Sequence, residues 1–295
     1  PLLAFAAVSP FGSLVAKKFG IEQALLGALL IIIAGILLRS AGSATTLYVG
    51  TAIIGGGIAI GNVLLPGLLK RSFPHQITKF TAIYVLTMGV ASALGSVYAI
   101  PLAQLSDYGW RFAMAALAVL PLISAFIWLP QLRKHTEVKN GISTPPPSAP
   151  VWHSALAWQV SLFLGFNSLV YYIVTTWLPA MLTDVGYTAA EAGNLHGLMQ
   201  FAAATPGLLV VPLVSRFKDQ RGIAFSVSLL TVLSVIGLML VPGFAILWTC
   251  LFGFSAGATL ILGLSFVSLR AANSLQAAAL SGMAQCIGYT LAAIG

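Results

Sequence analysis

From Gly222 to Leu269 the chain runs for 48 residues without an Asp, Glu, Lys or Arg. About 20 apolar residues cross the hydrocarbon core of a bilayer, so this run is long enough for two crossings. Val241-Pro242-Gly243 in its middle supplies the turn between them. Other charge-free runs cover 1–16, 23–38, 40–69, 80–106, 112–132, 140–183, 192–215 and 271–295. The whole chain of 295 residues has 14 basic and 6 acidic side chains, and 59% of its residues are hydrophobic. No soluble domain of this size hides that much apolar surface from water. A soluble enzyme, a nucleic-acid-binding domain and a disordered tail are thereby excluded, and the lipid bilayer is the expected solvent.

The runs resolve into ten segments, at about 1–16, 23–39, 47–69, 79–103, 111–130, 154–182, 191–214, 222–241, 244–268 and 276–295. All are expected to be helical. Lipid offers no partner to unpaired backbone groups, and the segments are too long for barrel strands. The placement of charge then sets the topology. Lys17, Lys18, Lys70, Arg71, Lys79, Arg133, Lys134, Lys139, Arg216, Lys218, Arg221 and Arg270 all fall in odd-numbered connections. Only Arg39 and Arg111 fall in even-numbered ones. By the positive-inside rule the odd connections are cytoplasmic. The net charge of +8 is therefore a topology signal, and nucleic acid is not an expected partner. This topology starts the chain outside, which a missing first span would explain, so a fragment is expected.

Five segments precede the hydrophilic stretch Gln131–Pro150 and five follow it. Two architectures fit: a complete five-plus-five inverted repeat of the drug/metabolite type, or a six-plus-six bundle with about ten of its twelve spans present. Gly57, Gly61 and Gly67 in the third segment recur 196 residues later as Gly253, Gly257 and Gly263. Those two segments cross in the same direction, as a parallel six-span repeat requires and a five-span inverted repeat does not. The expected fold class is thus an all-α membrane protein with a 6+6 helix bundle. Its parts would be an N-terminal bundle over 1–130, a central cytoplasmic loop over 131–153 and a C-terminal bundle over 154–295.

Five stretches narrow this further: GGGIAIGNVLLPGLLKRSFP (55–74), LAWQVSLFLGFNSLVYYIVTTWLPAML (156–182), LHGLMQ (195–200), KDQRGIA (218–224) and QAAALSGMAQCIGY (276–289). Together and in this order they resemble the CynX/NimT (cyanate / 2-nitroimidazole transporter) branch of the major facilitator superfamily. The resemblance implies a multi-pass secondary transporter of the bacterial inner membrane, in a branch associated with cyanate uptake and nitroimidazole export. It also implies a latch near the first connection. The superfamily's loop there usually reads Gly, three residues, Asp, basic, any, Gly. Here Ser13 and Lys17 replace the first Gly and the Asp, while Lys18 and Gly20 keep the pattern. Lys17 and Lys18, with Arg216, Asp219 and Arg221 in the related seventh connection, are the candidate gating residues. Asp219 is the candidate for an equivalent ion pair.

The spans hold no charged side chain at mid-depth, where such groups usually mark ion or proton pathways. No phosphate-binding loop occurs, and no two His have metal-ligand spacing, so neither an enzyme nor a cofactor or metal is expected. The polar groups left at mid-depth are neutral. Asn62, Asn167, Tyr171, His196, Gln200 and Gln285 should face the bundle interior, because an unpaired amide in hydrocarbon costs a few kcal/mol. Asn167 and Tyr171 lie four apart, as do His196 and Gln200, so each pair shares a helical face. These residues are the candidate path for a small planar polar solute. Trp177, towards the outer end of its span, is a candidate external gate. If a coupled proton passes through this part of the chain, His196 is its candidate carrier, since His titrates near neutral pH. The leading expectation is transport of a small polar solute by alternating access. A complete ten-span exporter and a non-transporting scaffold or sensor remain as alternatives.

Overall fold

The computed structural model describes residues 2–133, 151–207 and 219–294. Among them are eleven α-helices and no strand. Before the central connection come α1 (Leu2–Phe19), α2 (Ile21–Arg39), α3 (Ala44–Ser72), α4 (Ile77–Gln104), α5 (Trp110–Ala116) and α6 (Val119–Trp128). After it come α7 (Ala155–Asp184), α8 (Ala189–Ala204), α9 (Arg221–Leu240), α10 (Ala245–Arg270) and α11 (Ser274–Ile294). Eight helical stretches among the described residues are long and apolar enough to cross a membrane. Most of the central loop, and Arg216 with Lys218, lie outside the described residues.

Helix starts follow local chemistry. Ser43 caps α3 by accepting from the Thr46 amide at 3.1 Å, while Thr46 Oγ1 accepts from the Ser43 amide. Thr188 and Glu191 make the same reciprocal box at α8. The two hydrogen bonds that Thr188 donates hold the exposed Glu191 carboxyl below the usual carboxylate range. Between α2 and α3 the chain turns at Gly42, whose φ of 94° suits glycine, and the Arg111 side chain lies directly against it. The turn expected at Val241-Pro242-Gly243 is a single 3₁₀ turn, braced by Tyr187 Oη donating to the Pro242 carbonyl at 2.9 Å.

The fifth segment departs from a single helix. It is two helices, α5 and α6, parted at Leu117 and Ala118, and ends in a 3₁₀ turn over Leu129–Arg133. Pro121 is the reason. It has no N–H to give the Leu117 carbonyl and its ring crowds that oxygen, so the chain restarts with Pro121 in the first turn of α6. The described part of α8 ends for the same reason. Pro206 leaves the Ala202 carbonyl without its helical donor, and Thr205 Oγ1 takes it at 2.9 Å.

Within the first group, α3 packs on α1 and α2; within the second, α10 packs on α8 and α9. The groups meet where α1 and α3 lie against α11, and where α4 lies against α8 and α10. Among the eight long apolar stretches, the one containing α10 is the most enclosed, with 72% of its most apolar part buried against 17–56% in the other seven. Small residues make this possible. A Cβ on Gly253 or Gly257 would strike the Met199 or Ala203 carbonyl, so α8 and α10 touch backbone to backbone. Large apolar side chains such as Leu3, Phe126, Met239 and Leu240 point outwards, as lipid-facing positions should.

The repeated glycines do not repeat their packing. Gly57 meets α2 at Ile32 and the Ala28 carbonyl, whereas its partner Gly253 meets α8. Gly61 has nothing within 4 Å of an added Cβ, whereas Gly257 is jammed. Gly67 lies against the Ser274 carbonyl of the opposite group, and Gly263 against Leu164 of its own.

Candidate functional site

A cavity of about 280 Å³ lies at mid-span between the two groups of helices. Asn62 of α3 and Tyr84, Met88 and Ser92 of α4 line one wall. The rest comes from α7, α8, α10 and α11, including Asn167, Ser168, Tyr171, Tyr172, Gln200, Gln285 and Tyr289. The volume lies near the lower end of the range for ligand pockets, about 300 Å³, and suits a small solute. Among the described lining residues none is Asp, Glu, Lys, Arg or His.

The polar groups are held in pairs. Tyr171 Oη donates to Gln200 Oε1 at 2.6 Å, which joins α7 to α8. Asn167 Nδ2 donates to the Ala256 carbonyl of α10 at 3.4 Å. Tyr84 Oη donates to Asn62 Oδ1 at 2.8 Å, and Tyr289 Oη from α11 faces the same amide. Gln285 Nε2 donates to Ser281 Oγ at 3.0 Å. Tyr171, Tyr172 and Tyr289 form an edge-to-face series along one wall, with ring centroids 5.6 and 6.4 Å apart. The site thus offers amide hydrogen bonds beside aromatic faces.

Five residues expected from sequence meet at this cavity: Asn62, Asn167, Tyr171, Gln200 and Gln285. Two do not reach it. Trp177 is 55% exposed, five residues outward of Tyr172, the last residue of α7 in the lining. His196 is half-buried on α8, one turn outward of Gln200, and is absent from the lining. The four-residue spacing puts both side chains on one face, but the cavity reaches only the inner of the two. His196→Gln is accordingly expected to leave solute flux and its pH dependence within about twofold of wild type in a vesicle uptake assay.

Sequence reasoning passed over Tyr84, Tyr289 and Ser281. A phenol in mid-span needs a partner for its hydroxyl as an amide does, and that signal could have found the two tyrosines. Ser281 gave none, because a serine can satisfy itself on its own helix.

At the basic end the groups are joined without Lys17, Lys18 or Asp219. Lys70 Nζ of α3 donates to the Ser268 carbonyl near the end of α10 at 2.9 Å, and Ser268 Oγ donates back to the Pro66 carbonyl at 3.1 Å. An ammonium at a helix C-terminus also meets the negative end of the helix dipole. Lys17 and Lys18 are exposed at the end of α1, with Lys18 Nζ 5.2 Å from the centroid of the Phe19 ring. Asp219 pairs within its own connection, 3.9 Å from Arg221, and both are largely exposed. Among the described residues a half-buried ion pair also stands at this end: Arg71 Nη2 and Glu22 Oε1 are 2.6 Å apart within the first group, and Trp128 Nε1 donates to the Glu22 carbonyl at 3.0 Å.

Two bundles of spans around a shared midplane cavity define a membrane solute carrier. Residues 1–293 match the Major Facilitator Superfamily, and the chain belongs to that family. It is 54% identical to the 2-nitroimidazole transporter of Escherichia coli strain K12, over all of this chain and 75% of that one. It is 38% identical to the uncharacterized transporter YycB of Bacillus subtilis strain 168, over all of this chain and 73% of that one. The cyanate transport protein CynX of Escherichia coli is a more distant relative, 24% identical over all of this chain and 76% of that one. Among solved structures, the fucose:proton symporter of E. coli superposes with a TM-score of 0.71 at 13% identity, covering 99% of this chain and 80% of that one. A human organic anion transporter superposes with 0.72 at 18% identity, covering all of this chain and 74% of that one.

Proposed function

We propose that this chain carries a small, neutral, planar solute of the 2-nitroimidazole type across the bacterial inner membrane. The two bundles, 1–130 and 154–295, rock about the midplane cavity and expose it to each side in turn, with the loop over 131–153 joining them. The observation that carries this reading is the cavity lining. Its amides and phenols come from both bundles, and no ionised side chain is among the described ones. A neutral heteroaromatic ring can stack on the tyrosines and hydrogen-bond to the amides. A free anion such as cyanate would shed its water there with no counter-charge, at a large cost. The relative named for 2-nitroimidazole shares more of this sequence than the one named for cyanate, 54% against 24%.

Lys70 and Ser268 close the cytoplasmic side in this arrangement, and their contact has to open once per cycle. The test is counterflow of labelled 2-nitroimidazole in proteoliposomes containing the purified protein, with and without an imposed pH gradient. Saturable exchange is expected, with unlabelled cyanate competing at least about tenfold less well than unlabelled 2-nitroimidazole. Absence of saturable exchange, or equal competition by cyanate, contradicts the proposal.

A further inference from the structure

Gln285 projects from α11 into the cavity wall, and its carboxamide oxygen is fully buried with no hydrogen-bond partner. The orientation of this amide follows from a chain of bonds that begins in the other bundle. Pro66 has no N–H, so the Asn62 carbonyl four residues earlier lacks its helical donor. Ser281 Oγ of α11 supplies one, donating to that carbonyl across the bundle interface in a long bond of 3.4 Å. With its hydrogen committed, the Ser281 oxygen is left as an acceptor, and the group that reaches it is the Gln285 NH₂ at 3.0 Å. The amide thereby keeps its NH₂ towards Ser281 and its oxygen unspent, just beneath the cavity surface, so that a solute reaches it through a small shift of the Gln285 side chain.

We infer that Gln285 is the specificity-determining residue of this cavity, and that it selects solutes carrying an N–H donor, such as an azole with a free ring nitrogen proton. This rests on the function proposed above. A buried acceptor without a donor is costly, and a ligand that supplies the donor recovers that cost. A ligand of the same shape without the donor leaves the oxygen unsatisfied and is rejected. The same chain of bonds ties the selecting amide to the Asn62 carbonyl of the opposite bundle, so an occupied cavity is felt at the surface along which the bundles separate.

The experiment measures binding to the purified full chain by isothermal calorimetry, with 2-nitroimidazole and 1-methyl-2-nitroimidazole as probes. The second carries a methyl group in place of the ring N–H proton, and the Gln285→Met variant separates the lost donor from the added bulk, since a purely steric preference would persist in it. Wild-type protein is expected to bind the N–H compound about 30-fold more tightly, and Gln285→Met to bind the two within about threefold. Gln285→Glu, which keeps an acceptor at the position, is expected to retain a preference for the N–H compound. Equal binding of both probes by wild type overturns the inference while leaving the proposed function standing, and needs no variant to fold. Undiminished discrimination in Gln285→Met also overturns it. Binding of neither probe by wild type overturns the proposed function, and the inference with it.

Discussion

Gly257→Ala is expected to lower the yield of monodisperse detergent-extracted protein at least about tenfold, whereas Gly61→Ala should change it by less than about twofold. The two glycines occupy matching places in the sequence repeat. Their surroundings differ. A methyl group on Gly257 would collide with the Ala203 carbonyl, which belongs to the α8 backbone and has no rotamer to escape into. Relief requires α8 and α10 to part, and α10 lies in the most enclosed of the eight long apolar stretches. Parting them also strips the close packing of Gly253 on the Met199 carbonyl one turn away. Overpacking a well-filled interior costs about 1–3 kcal/mol, and more where the backbone must move. The added methyl on Gly61 meets nothing within 4 Å, and alanine is the better helix former. Size-exclusion chromatography of the two variants reads the contrast directly. Equal yields would show that the α8–α10 contact is not as close as described.

Asn62→Leu should reduce solute flux about 30-fold while leaving the protein folded. Leucine shares asparagine's branching at Cγ, is somewhat larger and keeps α3 intact, but it removes the acceptor for Tyr84 Oη and the amide that Tyr289 Oη faces. Leaving a buried hydroxyl unpaired costs about 1–3 kcal/mol, and about 2 kcal/mol corresponds to about 30-fold in rate. Tyr84→Phe removes one donor and keeps Asn62, so a smaller loss of about fivefold is expected. Initial rates of counterflow at sub-saturating solute separate these outcomes. A Tyr84→Phe loss as large as that of Asn62→Leu would mean that the phenol, and not the amide, is the essential member of the pair.

These expectations show where sequence reading succeeds and where it stops. The spans were legible because charge is expensive in lipid, so the charges themselves punctuate the chain: Lys17-Lys18, Lys70-Arg71 and Arg270 each end a described helix. Asn167 with Tyr171 was legible because a polar side chain in an apolar run must turn inward. Depth was not legible. Helical spacing places His196 and Gln200 on one face but does not say how far along it the cavity extends. Nor does a glycine repeat specify which helix each glycine meets, since that depends on the bundle's asymmetric packing; Gly57 and Gly253 touch different neighbours. The Lys70–Ser268 contact was invisible for a simpler reason. It joins a side chain to a backbone carbonyl 198 positions away, and a carbonyl has no sequence signature. The expected latch at Lys17 or Asp219 rested on resemblance alone.

The central claim is that solute passes through the cavity between the bundles. Ser168 lines that cavity on α7. With Cys250 and Cys286 replaced by alanine, Ser168→Cys places a single thiol there. The deciding measurement is 2-nitroimidazole counterflow in proteoliposomes of this variant before and after N-ethylmaleimide. The account predicts that modification abolishes flux, that saturating solute slows the modification several-fold, and that the cysteine-free parent is unaffected. Full flux through a protein shown by mass spectrometry to be completely modified at position 168 would contradict it.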